Sequence, residues 1–483
     1  MLDSVCVVDI GDFTAGGWSA AAARCPKTMA HGPCAGVGTD GSCEVPGFGA
    51  CTFLAVDAAA WPYAGTLGPH RPAAARGDAP GQPGRPGQPD GASQQAGASQ
   101  RLDASQQADA SRQLGASRRG GAGRHPRVAG FLAAAAVRPV VVADLFAAPL
   151  SAAGLRASAA ALAGAADACL LGDHGGARVQ FPPSYRARLL AEEGVPAWVG
   201  INCRDRNRVA LEGEVAACVD AGAVALHCVT GDHPALGHRA DAPGVFDLDS
   251  VGVVALAAAT AGAAGTLCSV AHAPATPPTD RRLPRLLAKV DAGADVVFVD
   301  HCGGPGPVAD AVGQLRSAGF AGLVLVCVPV VTSAASAAVV ASFAGGRLPA
   351  GYLERITGVG WAAHTDPTAP RAVPRPPAGT ESRAQAESRA GARPQVGAMP
   401  RVGAGEAAEI EAAGIAEGTE LAERMLEIPG VDGVNLSGGA PPGQEAALAA
   451  AMAEISRRVL GVAAPAGRRG SDRAAARRGV GAT

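Results

Sequence analysis

Aromatic side chains are scarce in this 483-residue sequence, at 4% of the total. A core built from it must be filled by Ala, Val and Leu, whose small volumes suit helices packed closely on a parallel sheet. An excess of either charge is also lacking: 41 Lys and Arg face 43 Asp and Glu. That balance argues against a dedicated nucleic-acid binder. The opening MLDSVCVVDIGD has neither the basic start nor the apolar run of a secretory signal. A cytoplasmic location is therefore expected, with the twelve cysteines held as reduced thiols. Residues 251–273, VGVVALAAATAGAAGTLCSVAHA, are uncharged but rich in Ala, Gly and Thr. They read as a buried helix, a Gly break and a buried strand, so no membrane partner is expected.

Apolar residues make up 48% of the chain, enough for a large core. Several stretches cannot contribute to it. Residues 66–127 contain a Pro/Gly tract and an imperfect Ala-Ser-Gln repeat, and read as a disordered linker. Residues 366–403 read as a disordered insertion, and 464–483 as a basic, solvated tail. Between these lie residues 128–365 and 404–463, where apolar runs of strand length recur. They are PVVVADLF (139–146), ACLLGD (168–173), PAWVGINC (196–203), AVALHCVTGD (223–232), GTLCSVAH (265–272), DVVFVDHC (295–302), GLVLVCVPV (322–330) and GVDGVNLSGG (430–439). Helical segments alternate with them. Continuously apolar strands imply burial on both faces, hence a parallel sheet. Eight such units predict an α/β fold, a (β/α)8 TIM barrel, with a doubly wound open sheet as the competing architecture.

Most of these strands are apolar until their C-terminal ends and then turn ionisable: Asp144, Asp173 with His174, Arg204 with Asp205, Asp232 with His233, His272, and Asp300 with His301. In a barrel those ends converge on the mouth where active sites of this fold sit. Taken singly, each is also a good start for the next helix.

Residues 1–65 form a separate region. CPKTMAHGPCAGVGTDGSCEV (25–45), followed by Cys51, sets Cys25, Cys34, Cys43 and Cys51 at close spacing among glycines. Four thiolates so placed suit zinc, or alternatively an iron-sulfur cluster. The spacing lacks the paired CxxC of common zinc fingers. The remaining barrel cysteines read as core packing.

INCRDRNRVAL (201–211), LHCVTGDHPALGHRADAPGVFDLDSV (226–251) and LLAKVDAGAD (286–295) resemble, in order and spacing, the methylenetetrahydrofolate reductase family of flavin-dependent barrels. FAGGRLPAGYLERI (343–356) adds to the likeness. The N-terminal cysteine pattern is similar to a module that accompanies such reductases. The resemblance implies an oxidoreductase of one-carbon metabolism that reduces 5,10-methylenetetrahydrofolate with NAD(P)H through FAD. Folate and nicotinamide would be its small-molecule partners, and a homo-oligomer is possible.

The same resemblance assigns residues. Asp232 would lie beside the flavin as a catalytic carboxylate, preceded by Thr230 and by Gly231, whose bare backbone would approach the ring. Asp144 stands where the family carries a glutamate as general acid, and Asp300, with His301, where it carries a substrate-bridging glutamine. Asp173, Arg204, Asp205, Arg206, Asn207, His233 and His272 complete the implied cofactor contacts, Arg204, Arg206 and Asn207 serving alternatively as surface ion pairs. Two other readings of the barrel stand beside this one. One is a folate-type barrel that has lost turnover and acts as a binding or assembly partner. The other is a metal-dependent hydrolase using His174, His233, His272, His301 and Asp300 as ligands.

Overall fold

The computed structural model describes residues 17–56, 125–173, 177–341, 346–358 and 404–461. All but the last three residues of the expected linker, where a helix begins at Pro126 instead, fall outside those residues, as do the insertion, the tail and His174. Among the described residues there are eight strands: β1 (Val140–Asp144), β2 (Ala168–Leu171), β3 (Ala197–Asn202), β4 (Ala225–Val229), β5 (Leu267–His272), β6 (Val296–Val299), β7 (Leu323–Val330) and β8 (Gly433–Gly438). They pair in sequence order, all parallel, and β8 returns to β1 to close the barrel. The open-sheet alternative is excluded by that closure. At the seam Val140 faces Gly433. A Cβ on Gly433 would lie 2.3 Å from the Val140 carbonyl oxygen, so only glycine lets the two strands approach this closely.

Helices α1 (Gly17–Arg24) and α2 (Pro126–Ala135) precede the first strand, and helices fill the crossovers, among them α3 (Ala152–Leu162), α4 (Pro183–Glu192), α5 (Arg208–Asp220), α6 (Ser250–Ala261) and α7 (Arg282–Asp291). The uncharged stretch 251–273 divides as its composition predicts: α6 gives way to a short 3-10 turn, Gly265 turns the chain with φ +71°, and β5 follows. No helix among the described residues is long and apolar enough to cross a membrane.

Two apolar layers hold the barrel. The outer one lies between strands and helices and contains Val141, Leu162, Ile201, Leu226 and Val326. The inner one fills the barrel itself with Val140, Val142, Leu170, Val296, Leu325 and a central Trp198. Trp198 is fully buried, packs edge-on to Phe298 at 5.2 Å, and donates its indole N–H to Ser269 Oγ at 2.8 Å. Helix α2 closes the N-terminal end, where Phe131 meets Trp198 edge-on at 5.3 Å. With the bottom plugged, the C-terminal end is the face left for a site.

The N-terminal cysteine-rich segment packs on the barrel. Thr28 Oγ1 donates to the Phe246 carbonyl at 2.5 Å, and His31 donates its backbone N–H to Asp249 Oδ2 at 2.9 Å. Arg282 on α7 donates to the carbonyls of Pro33 and Cys34 at 3.2 and 3.1 Å. Its own small core is Ala21, Met29 and Phe53.

Candidate active site at the barrel mouth

Side chains alternate across a strand, so positions in register with Val140, Val142, Trp198, Val296 and Phe298 face the barrel interior. Extending that register to the strand ends aims Asp144, Asn202, Asp300 and Asn435 into the mouth. Asp144 accepts a hydrogen bond from Asn435 Nδ2 at 3.1 Å. Burial raises its carboxyl pKa to about 7; the Asn435 bond pulls it back, and the charge of Asp300 adds to the rise. Asn435 is itself buried, and its Oδ1 has no hydrogen-bond partner. A cavity of about 290 Å³ opens beside Asp144, lined also by Phe146, Leu170, Asp173, Phe181 and Gly438. The mouth thus offers a carboxyl that can exchange a proton near neutrality and an unused amide acceptor.

On the neighbouring side Asp173 is fixed by three donors: Gln180 Nε2 at 2.6 Å, Asn202 Nδ2 at 2.7 Å and Arg204 Nη1 at 3.0 Å. Arg204 is almost fully buried and also grips Asp205, with Nε at 2.9 and 3.0 Å from its two oxygens. Arg186 reaches the Gly172 carbonyl with two nitrogens at 3.0 Å each. These bonds leave the end of β2 with little freedom.

Other expected site residues go elsewhere. Asp232 is absent from the cavity wall; its side chain is 56% exposed on the flank. Gly231 has φ +84°, and a Cβ there would meet Asn202 Cβ at 2.9 Å, so its missing side chain serves contact with β3. Thr230 is buried and accepts the Ser250 N–H at 3.1 Å at the start of α6. Asn207 caps α5 by accepting from the Ala210 N–H at 3.1 Å. Arg206 is half-buried, near enough to Cys218 for its charge to be felt there. His233 stacks on Phe246 at 5.9 Å and donates its backbone N–H to Glu44 at 3.0 Å. His272 lies outside the inner register; burial, with Lys289 and Arg282 nearby, pushes its pKa down to about 3. His301 is buried with Nε2 2.7 Å from Ser437 Oγ, and burial lowers its pKa. Lys289, on α7, is half-buried and donates to the Ala271 carbonyl at 2.8 Å.

The four N-terminal thiols line one narrow cavity of about 10 Å³, and Cys25 and Cys34 are close enough to add to the burial that raises the pKa of Cys43 and Cys51. All four are free. Yet no three His, Cys, Asp or Glu side chains among the described residues are grouped to hold a metal ion, here or at the mouth. The zinc and iron-sulfur expectations thus have no ligand group among the described residues, while His174 of the hydrolase ligand set lies outside those residues.

Sequence reasoning passed over Asn435, Ser437, Asn202 and Arg178. The signal for Asn435 was there: a polar residue inside GVNLSG, whose six positions are all buried.

No family model matches the chain, and no curated protein matches it. Among solved structures, the chain is similar to 2,3-dimethylmalate lyase, described as a PEP mutase/isocitrate lyase superfamily member, at 17% identity and TM-score 0.32, over 46% of this chain and 80% of that one. Phosphonopyruvate hydrolase, solved with oxalate and Mg++, matches at 17% identity and TM-score 0.30, over 42% and 71%. Oxaloacetate acetylhydrolase with its product oxalate matches at 14% and 0.32, over 46% and 79%. At these values the likeness concerns the barrel alone. No family model and no curated protein supports the reductase resemblance. The expectations of a methylenetetrahydrofolate reductase, of oxidoreductase activity, of FAD and NAD(P)H, and of a role in one-carbon metabolism are therefore set aside. The geometry points the same way, since the two carboxylates that the reductase chemistry would place together, Asp144 and Asp232, do not line a common cavity.

Proposed function

We propose that this chain is an acid–base enzyme of the lyase or hydrolase kind, which breaks a bond in a small polar substrate held at the barrel mouth. Asp144 is the group that gives or takes the proton. The observation that carries this reading is the Asp144 carboxyl itself: desolvated to a pKa of about 7, held by Asn435, and opening on the mouth cavity. A carboxyl poised there is populated in both protonation states at neutral pH, which general acid–base catalysis requires. Asp300 supports the reading by placing a second negative charge within reach of the first. The Asn435 Oδ1 acceptor supplies a point for orienting a substrate N–H or O–H.

The test is a turnover screen of the full chain against small hydroxy- and oxo-acids, esters and amides, run beside Asp144→Asn. Activity in the parent should fall by about 10²–10⁴-fold in the variant, the range a lost proton-transfer group costs. Equal activity in both proteins would remove Asp144 from the chemistry.

A further inference from the structure

Arg178 lies a few residues beyond β2, on the flank of the mouth next to Asp173 and Arg204. Its residue surface is 8% exposed, and none of Nε, Nη1 and Nη2 makes a hydrogen bond. A guanidinium does not shed its proton in a protein, so a buried one without partners is costly. The acids around it do not meet that need. Asp173 and Asp205 are bonded to Arg204. Asp232 Oδ2 stands 4.0 Å from Nη2, beyond hydrogen-bond length, with its own side chain mostly in solvent. The backbone nevertheless holds the arginine in place. The Arg178 N–H donates to His238 Nδ1 at 3.0 Å. Gly237 presents its bare face to the side chain, where a Cβ would lie 2.5 Å from Arg178 Nε. An arginine positioned by its neighbours but left with free donors is the arrangement that receives an oxyanion in fork geometry.

We infer that Arg178 anchors an oxyanion-binding subsite on the flank of the mouth, between the end of β2 and residues 232–238, that takes the carboxylate or phosphate group of a ligand. Burial and the Arg204 charge weaken the hold of Arg178 on its proton, and an incoming anion relieves both. Asp232 is the competing group, because it would be displaced or repelled as the anion enters.

Calorimetric titration of the full chain with inorganic phosphate, and separately with acetate, tests the subsite. Saturable binding of either is expected, and the tighter of the two identifies the group as phosphate or carboxylate. Arg178→Gln should weaken it by about tenfold or more, the loss of charge-assisted hydrogen bonds. Asp232→Asn should tighten it by removing the competing carboxylate. Asp144→Asn should leave it in place, so failure of the acid–base reading and failure of the subsite are told apart. Absence of saturable binding, or binding that ignores Arg178→Gln, overturns the proposal. So does an Asp232→Asn variant that melts lower without gaining anion affinity, since Asp232 would then be the arginine's native partner. Should Arg178→Gln fail to fold, the Asp232→Asn result decides.

Discussion

Asn435, on the last strand, donates its side-chain N–H to Asp144, at the tip of the first, at 3.1 Å. The bond ties the barrel seam to the proposed proton-transfer group and favours the ionised form of its carboxyl. Asn435→Ala should therefore raise the Asp144 pKa above its present value of about 7. Carbon-detected NMR titration of the aspartate carboxyls reads the shift directly, and an unchanged or lowered value would contradict the assignment.

The same carboxyl predicts a pH effect on stability. Its pKa is higher in the folded chain than in the unfolded one, where 3.8 is the ordinary value. Between about pH 4 and 7 the native state keeps a proton that the unfolded chain has released, so this group's contribution to stability falls as pH rises. Urea denaturation at pH 5 and pH 8 should show the parent losing stability relative to Asp144→Asn across that interval.

Asp249 behaves in the opposite sense. Burial alone would raise its pKa, but His31 and Arg285 hold the carboxyl well below the usual range. Its stabilisation is complete above the unfolded carboxylate pKa and fades as pH falls through the folded value, below about pH 4. At neutral pH, Asp249→Ala breaks a buried pair with His31 at 2.9 Å and removes the cap of α6. A loss of about 3–5 kcal/mol is expected by chemical denaturation, together with faster proteolytic release of the N-terminal segment.

Phe131 seals the bottom of the barrel against Trp198. Phe131→Ala should cost about 3–5 kcal/mol, the range for deleting a buried Phe ring from a packed core. Denaturant unfolding measures it; a cost under about 1 kcal/mol would mean the plug is not part of the cooperative core.

The N-terminal thiols supply a chemical test. Burial pushes Cys51 up to about 12 and Cys43 up to about 11. Relative to a pKa of 9.0, the Cys51 thiolate fraction at pH 8 should be lower by about a thousandfold. Alkylation by iodoacetamide, followed by mass spectrometry, should leave Cys51 unmodified in the folded protein and label it in urea.

The strands were legible because each is an apolar run bounded by turn residues, and the Gly265 break separated α6 from β5 correctly. Parallel burial on both faces narrowed the sheet to two architectures; the pairing of β1 with β8 chose between them. The mouth was harder. A strand end says which residues are near it but not which face they take. Alternation from Trp198 and Val142 would have aimed Asp144 and Asn435 inward and His272 outward. Asp232 misled for another reason: its motif resembled a reductase, whereas its surroundings here are set by tertiary contacts of Arg178 and the N-terminal segment, which no local pattern encodes. Arg178 itself sits in a segment with no periodicity, so its burial could not be read from neighbours in sequence.

The seam between β1 and β8 has a consequence for synthesis of the protein. Val140 finds its Gly433 neighbour only after nearly all of the barrel has left the ribosome. Until then a nascent chain carries two exposed sheet edges and an Asp144 without its amide partner, so chaperone demand should peak late in translation and vanish once the last strand inserts.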